Sequence, residues 1–208
     1  MSPLTLALTW LDYAAVAVFG ATGALAAARR NHDIVTFGFF AAVTGVGGGT
    51  LRDLLIGAPV FWVKQPAYVV VCLATAAVVW FTGSNRWRES VLTWLDALGM
   101  AGYSVVGAAK AEQLGAPPLT ALVMGVLTAT FGGVVRDVLA HESSVLLRRE
   151  IYVSAAVLGA AVFVGLAAAG LSSLAAGLAG FAAALALRSC AILWGWQLPG
   201  FPQRRLGG

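Results

Sequence analysis

The chain has 208 residues, 60% hydrophobic and 11% charged, with a formal net charge of +4 and a mean hydropathy of +0.86. A soluble domain carries roughly 25% charged residues, so this composition excludes a water-soluble globule and points to a membrane protein. The basic residues sit between apolar segments, which makes them a topology signal rather than a nucleic-acid footprint, and no nucleic-acid partner is expected.

The first residues, MSPLTLALTW, carry no basic stretch and no clear cleavage site. The first apolar run is therefore expected to stay as a membrane helix. Seven segments come near the roughly 20 apolar residues that a span needs. In chain order they lie at about 4–28, 34–58, 67–82, 90–109, 117–139, 151–169 and 171–193. Connections are short, so residues 1–208 read as a single membrane domain with no soluble part. The seventh segment, LSSLAAGLAGFAAALAL, is rich in small residues. Gly177 and Gly180 within it suit tight helix contact, in the protomer core or at a subunit interface.

Seven spans put the termini on opposite sides. Arg52, Lys64 and Lys110 fall on the side of the N-terminus. Arg29, Arg30, Arg86, Arg88, Arg136, Arg148, Arg149, Arg188, Arg204 and Arg205 fall on the other. The positive-inside rule then predicts a multi-pass protein of the cell (inner) membrane, N-terminus outside and C-terminus cytoplasmic. Trp80, Trp87, Trp94, Trp194 and Trp196 mark the cytoplasmic boundary, and Trp10 and Trp62 the outer one, as in aromatic belts.

The sequence repeats itself with an offset of 84. LTWLD occurs at 8–12 and at 92–96, and GGTLRD at 48–53 matches GGVVRD at 132–137. Gly23 maps onto Gly107 and Tyr68 onto Tyr152 by the same shift, without a gap. This register divides the chain into repeat one (4–84), repeat two (88–169) and a seventh helix (171–193). Three spans per copy make the second copy enter from the opposite face, so an inverted repeat is predicted, with a path between the copies.

The segment GVGGGTLRDLL at 45–55 places three glycines and two charges inside an apolar span. Each interior glycine costs a helix about 1 kcal/mol relative to alanine. Gly47, Gly48 and Gly49, with Gly132 and Gly133 in the second copy, are therefore expected to bend or unwind their helices and to face a pore. Close helix packing is the alternative use of the same residues. Arg52 and Asp53 are adjacent, about 100° apart on a helix, and are not expected to pair with each other; snorkelling is the alternative role for Arg52. Asp12 and Asp96 sit inside their spans, where carboxylates face water or a partner. The expected arrangement is one pair per mouth, Asp12 with Arg52 outside and Asp96 with Arg136 inside. Asp53 and Asp137 complete the mouth charges. Lys110 and Glu112 end the fourth span outside, where surface solvation is expected and joining that mouth is the alternative.

Cys72 and Cys190 form no disulfide framework, and neither they nor His32 and His141 show metal-ligand spacing. No serine has a base at usable spacing, and the glycine run does not follow a strand as a phosphate loop would. No enzyme activity and no metal are expected.

The glycine–arginine–aspartate motifs, GVGGGTLRDLL and FGGVVRDVL, lie on the second and fifth of seven helices in an inverted three-plus-three arrangement. This pattern resembles the prokaryotic trimeric intracellular cation channel (TRIC) family, also labelled a glycine-transporter-like membrane domain. The resemblance implies an all-α transmembrane homotrimer with second and fifth helices kinked at the glycines. It implies a monovalent cation channel, chiefly for potassium, with a pore in each protomer. It carries over Gly47, Gly48, Gly49, Arg52 and Asp53, and Gly132, Gly133, Arg136 and Asp137. Phe131 stands where a third glycine would match Gly47, so a milder second bend is expected. No cofactor is implied beyond the permeant potassium or sodium ion and bound membrane lipid. The alternative is a secondary transporter of a small solute such as glycine, since inverted repeats with broken helices also serve that class.

Overall fold

The structure is a computed structural model that describes residues 3–82, 88–144 and 150–199. Arg86, Trp87, Arg148, Arg149, Arg204 and Arg205, singled out above, lie outside the described residues. The described chain is all-α: α1 (Pro3–Arg29), α2 (Ile34–Leu55), α3 (Phe61–Lys64), α4 (Ala67–Thr82), α5 (Arg88–Gln113), α6 (Pro118–Leu139), α7 (Val153–Ala168) and α8 (Ser173–Trp194). Seven of these are the seven expected spans. The eighth, α3, is a single turn in the connection after the second span.

Local chemistry sets the helix ends. Asp33 caps α2 by accepting the Thr36 N–H at 2.8 Å, and Pro118 opens α6, where its missing N–H costs nothing. α2 and α6 coincide end for end under the offset of 84. So do two of the turns. Asn31 and Gly115 both have positive φ (53° and 82°), as do Gly57 and His141 (68° and 52°). The duplication thus reaches into backbone conformation, with a non-glycine residue accepting the left-handed region once in each pair.

The centre of the molecule is a crossing of α2 and α6. A Cβ on Gly48 would run into the Thr128 carbonyl, and a Cβ on Gly132 would lie 2.5 Å from the Thr44 carbonyl oxygen. Gly48 and Gly132 are repeat equivalents, and so are Thr44 and Thr128. Reciprocal contact, i to j and j to i, is what a two-fold axis between the copies produces. Phe19 of α1 and its equivalent Tyr103 of α5 stack across the same centre with ring centroids 5.2 Å apart. Around them the core is built of buried alanines, among them Ala24, Ala27, Ala41, Ala101 and Ala129, which let helix backbones approach closely.

Both α2 and α6 run as α-helix through their glycines. The unwinding that is one expectation at Gly47, Gly48, Gly49, Gly132 and Gly133 does not occur in this structure. Close packing between helices supplies the reason: the missing Cβ atoms are used where the two backbones touch. α8 settles the other small-residue question in the same way. A Cβ on Gly180 would lie 2.6 Å from the Gly159 oxygen of α7, so Gly180 serves the protomer core, and Gly177 sits near Val105 of α5.

Candidate functional site

A buried cluster of charges lies at each end of the α2–α6 crossing. In the first, on the side predicted to be outer, α2 supplies Arg52 and Asp53, α1 supplies Asp12, α4 Tyr68 and α5 Lys110. Asp53 is completely buried. It accepts from Arg52 Nε at 2.9 Å, from Lys110 Nζ at 3.0 Å and from the Phe61 N–H at 3.0 Å. That last bond holds α3 in place, and the Phe61 ring lies beneath both cations, 6.0 Å from the Arg52 guanidinium carbon and 5.5 Å from Lys110 Nζ. Asp12 accepts from the Tyr68 hydroxyl at 2.7 Å. Tyr68 is fixed by stacking on Tyr13 and by an edge-on contact with Phe61. Two carboxylates meet two cations, so the cluster is formally neutral.

The second cluster, on the predicted cytoplasmic side, is larger. Arg136 Nη1 bonds Asp96 at 2.7 Å, and its Nε and Nη2 bond Asp137 at 2.9 and 2.8 Å. Arg188 of α8 reaches Glu150 at 2.7 Å and lies over the Tyr152 ring at 5.2 Å. Arg29 pairs with Glu142 at 3.2 Å. These groups line a cleft of about 90 Å³ with Leu92 and Thr93. Among the lining residues, four carboxylates face three guanidiniums, formally one negative charge in excess. Pairing is what makes such burial tolerable, because an uncompensated buried ion costs several kcal/mol.

The glycines connect the crossing to the clusters. Gly49 lies against the Phe61 ring, and its equivalent Gly133 lies against the Tyr152 hydroxyl, Arg136 and Asp96. Gly47 is looser, with the Gly132 Cα at 3.9 Å from an added Cβ. At the centre the two backbones touch at Gly48 and Gly132, and the polar cleft is lined by residues of the second cluster. A larger apolar groove of about 300 Å³, lined by Ala14, Gly102, Ala109, Gly177 and Phe181, lies apart from both clusters.

Three expectations about the charges are corrected, the alternative role of Arg52 is excluded, and one expectation holds. Asp96 and Arg136 do pair. Asp12 and Arg52 do not: Asp12 is taken by Tyr68 and Arg52 by Asp53. The adjacent Arg52–Asp53 pair, not expected on helical geometry, forms, and so does its equivalent Arg136–Asp137. The three-carbon arginine stem spans the angular gap, and no bulk water competes for the guanidinium. Arg52 does not snorkel, being 3% exposed. Lys110 belongs to the outer cluster and is not merely solvated. Sequence reasoning missed Phe61, the Arg188–Glu150 pair and the tyrosines as partners. For the tyrosines the signal was present, since Tyr68 and Tyr152 keep the repeat register.

Among the described residues no group of three metal-ligating side chains occurs. A family model described as "Glycine transporter" matches residues 9–84 and again residues 93–168, the same offset of 84. The UPF0126 inner membrane protein YadS of Escherichia coli (strain K12) is 41% identical over 156 residues, 74% of this chain and 75% of its own length. A UPF0126 membrane protein of Vibrio cholerae is 38% identical over 92% of this chain and 81% of its own. Crystal structures of the TRIC trimeric intracellular cation channel orthologue from Rhodobacter sphaeroides match with a TM-score of 0.89 and 50% identity, over 91% of this chain and 99% of that one. A second TRIC cation channel structure matches with a TM-score of 0.83 and 25% identity, over 94% and 98%.

Proposed function

The chain belongs to the glycine-transporter family and is a multi-pass inner membrane protein with the TRIC channel fold; from that premise we propose that it is a monovalent cation channel, chiefly for potassium. Each protomer of a homotrimer carries its own path between the two inverted repeats, with the N-terminus outside and the C-terminus in the cytoplasm. The observation that carries this reading is the reciprocal α2–α6 crossing, free of side chains at its contact points and ending in a buried charged cluster on each side.

The residues divide the work. The excess carboxylate of the inner cleft raises the local cation concentration. Asp53 and Asp137 neutralise Arg52 and Arg136, which unpaired would repel a cation. At the centre, Gly48 covers the Thr128 carbonyl and Gly132 covers that of Thr44. With these contacts made, the path is shut. When α2 and α6 part, the two carbonyl oxygens become available to a dehydrating cation, and Gly47, Gly49 and Gly133 line the way to the clusters.

Purified protein reconstituted in planar bilayers tests the proposal. Unitary current steps that follow a potassium gradient, and are lost when chloride is the only gradient, are expected. Slow, saturable uptake of a solute such as glycine without unitary steps would replace the channel by a secondary transporter.

A further inference from the structure

Repeat equivalence makes the two charged ends two views of one device. Asp12 matches Asp96, Tyr68 matches Tyr152, Arg52 matches Arg136 and Asp53 matches Asp137, each 84 residues apart. Their bonds differ. In repeat one the tyrosine holds the aspartate at 2.7 Å, and the arginine is held by the aspartate that follows it. In repeat two the arginine holds both aspartates, and the Tyr152 hydroxyl, on a residue 1% exposed, makes no short hydrogen bond, only a weak one with Asp96. A buried hydroxyl held so weakly is poorly satisfied and destabilising. The three groups sit together: the Tyr152 oxygen, Arg136 Nη2 and Asp96 Oδ1 are 3.3, 3.6 and 3.6 Å from the point where Gly133 would carry a Cβ.

We propose that Asp12 and Asp96 are two-position switches, each bonded to the tyrosine of its repeat in one setting and to the arginine in the other. The two ends stand in opposite settings here, and exchanging them converts the protein to a second state. In that state Asp96 bonds Tyr152 and Asp12 bonds Arg52. Neither arginine is stranded, because Asp137 keeps Arg136 as Asp53 keeps Arg52 now. The chain itself therefore contains an example of each setting. Coupling runs through α2 and α6, which carry the two arginines one turn from the glycine contacts. Such packed helices have discrete arrangements and do not deform continuously. Lys110 on Asp53 and Arg188 over Tyr152 have no repeat equivalents and bias the two ends unequally. The inference rests on the channel reading of these clusters.

Tyr68→Phe and Tyr152→Phe test it, since both conserve shape. Tyr68→Phe removes a bond made only in the present state. Tyr152→Phe removes one that is weak here and short only in the other. The ratio of the two states is expected to move in opposite directions, about tenfold each for a bond to a carboxylate, with the double variant returning towards wild type. Open probability in bilayers is one readout. The other is independent of conduction: the labelling rate of Thr93→Cys, in the cleft, by a membrane-impermeant thiol reagent in a Cys190→Ser background. A silent Tyr152→Phe, or two substitutions acting in the same direction, overturns the switch. Opposed labelling rates without currents in any variant would uphold the switch and defeat the channel reading; normal currents with unmoved rates and open probabilities would do the reverse.

Discussion

Replacing Gly132 by alanine tests whether the central glycines act through packing. The new Cβ would lie 2.5 Å from the Thr44 carbonyl oxygen, and ordinary contact begins at 3.4 Å. α2 and α6 must therefore separate by about 0.9 Å, at a contact between two backbones where no flexible side chain can yield. Overpacking of this kind costs about 1–3 kcal/mol, while alanine returns about 1 kcal/mol of helix propensity. Gly47→Ala is the control. It gains the same propensity, and its nearest neighbour, the Gly132 Cα, would be at 3.9 Å. The two variants should then differ by about 1–3 kcal/mol, with Gly132→Ala the less stable. At about 2–4 °C per kcal/mol for a chain of this size, thermal unfolding in detergent resolves that gap. Equal melting temperatures would refute the packing argument and return the glycines to a role in helix flexibility.

Asp96→Asn leaves Arg136 to Asp137 alone and should cost about 3 kcal/mol as a broken buried pair. Asp12→Asn keeps the Tyr68 hydrogen bond on its amide oxygen and loses only the charge assistance, at about 1 kcal/mol, so the reverse order of melting temperatures would contradict the pairing described. Both should lower conductance. Lys110→Gln gives the outer cluster an excess negative charge; potassium current should rise in dilute salt and return to the wild-type level near 1 M, where screening lengths fall to about 3 Å, and a salt-independent change would exclude an electrostatic cause. The Thr36 N–H holds the exposed Asp33 carboxyl below its ordinary value of 3.8. Its capping contribution is thus present above about pH 4 and lost as pH falls through the lowered value, so the melting gap between wild type and Asp33→Ala should close on acidification.

Much of the architecture was legible in the linear chain. Span length follows from bilayer thickness, so seven apolar segments could be counted without knowing how they pack. The register of 84 between LTWLD, GGxxRD, Gly23/Gly107 and Tyr68/Tyr152 is a property of the chain alone, and three spans per copy make inversion unavoidable. What those patterns could not specify is which neighbour each polar group meets. Two glycine motifs read as helix interruptions because propensity is a local quantity. They became contact points because a second backbone, 84 residues away, occupied the space of the missing Cβ atoms. The partners of the charges were decided in the same way. Helical angles set Arg52 and Asp53 apart, and a long side chain in a dry interior brought them together; Asp12 went to Tyr68, while its equivalent Asp96 went to Arg136. Identical local sequence produced unlike bonding at the two ends because Lys110 and Arg188, which have no counterparts under the repeat, reach one cluster each. Three-dimensional proximity alone determines that asymmetry, since it depends on side chains arriving from helices the motif does not contain.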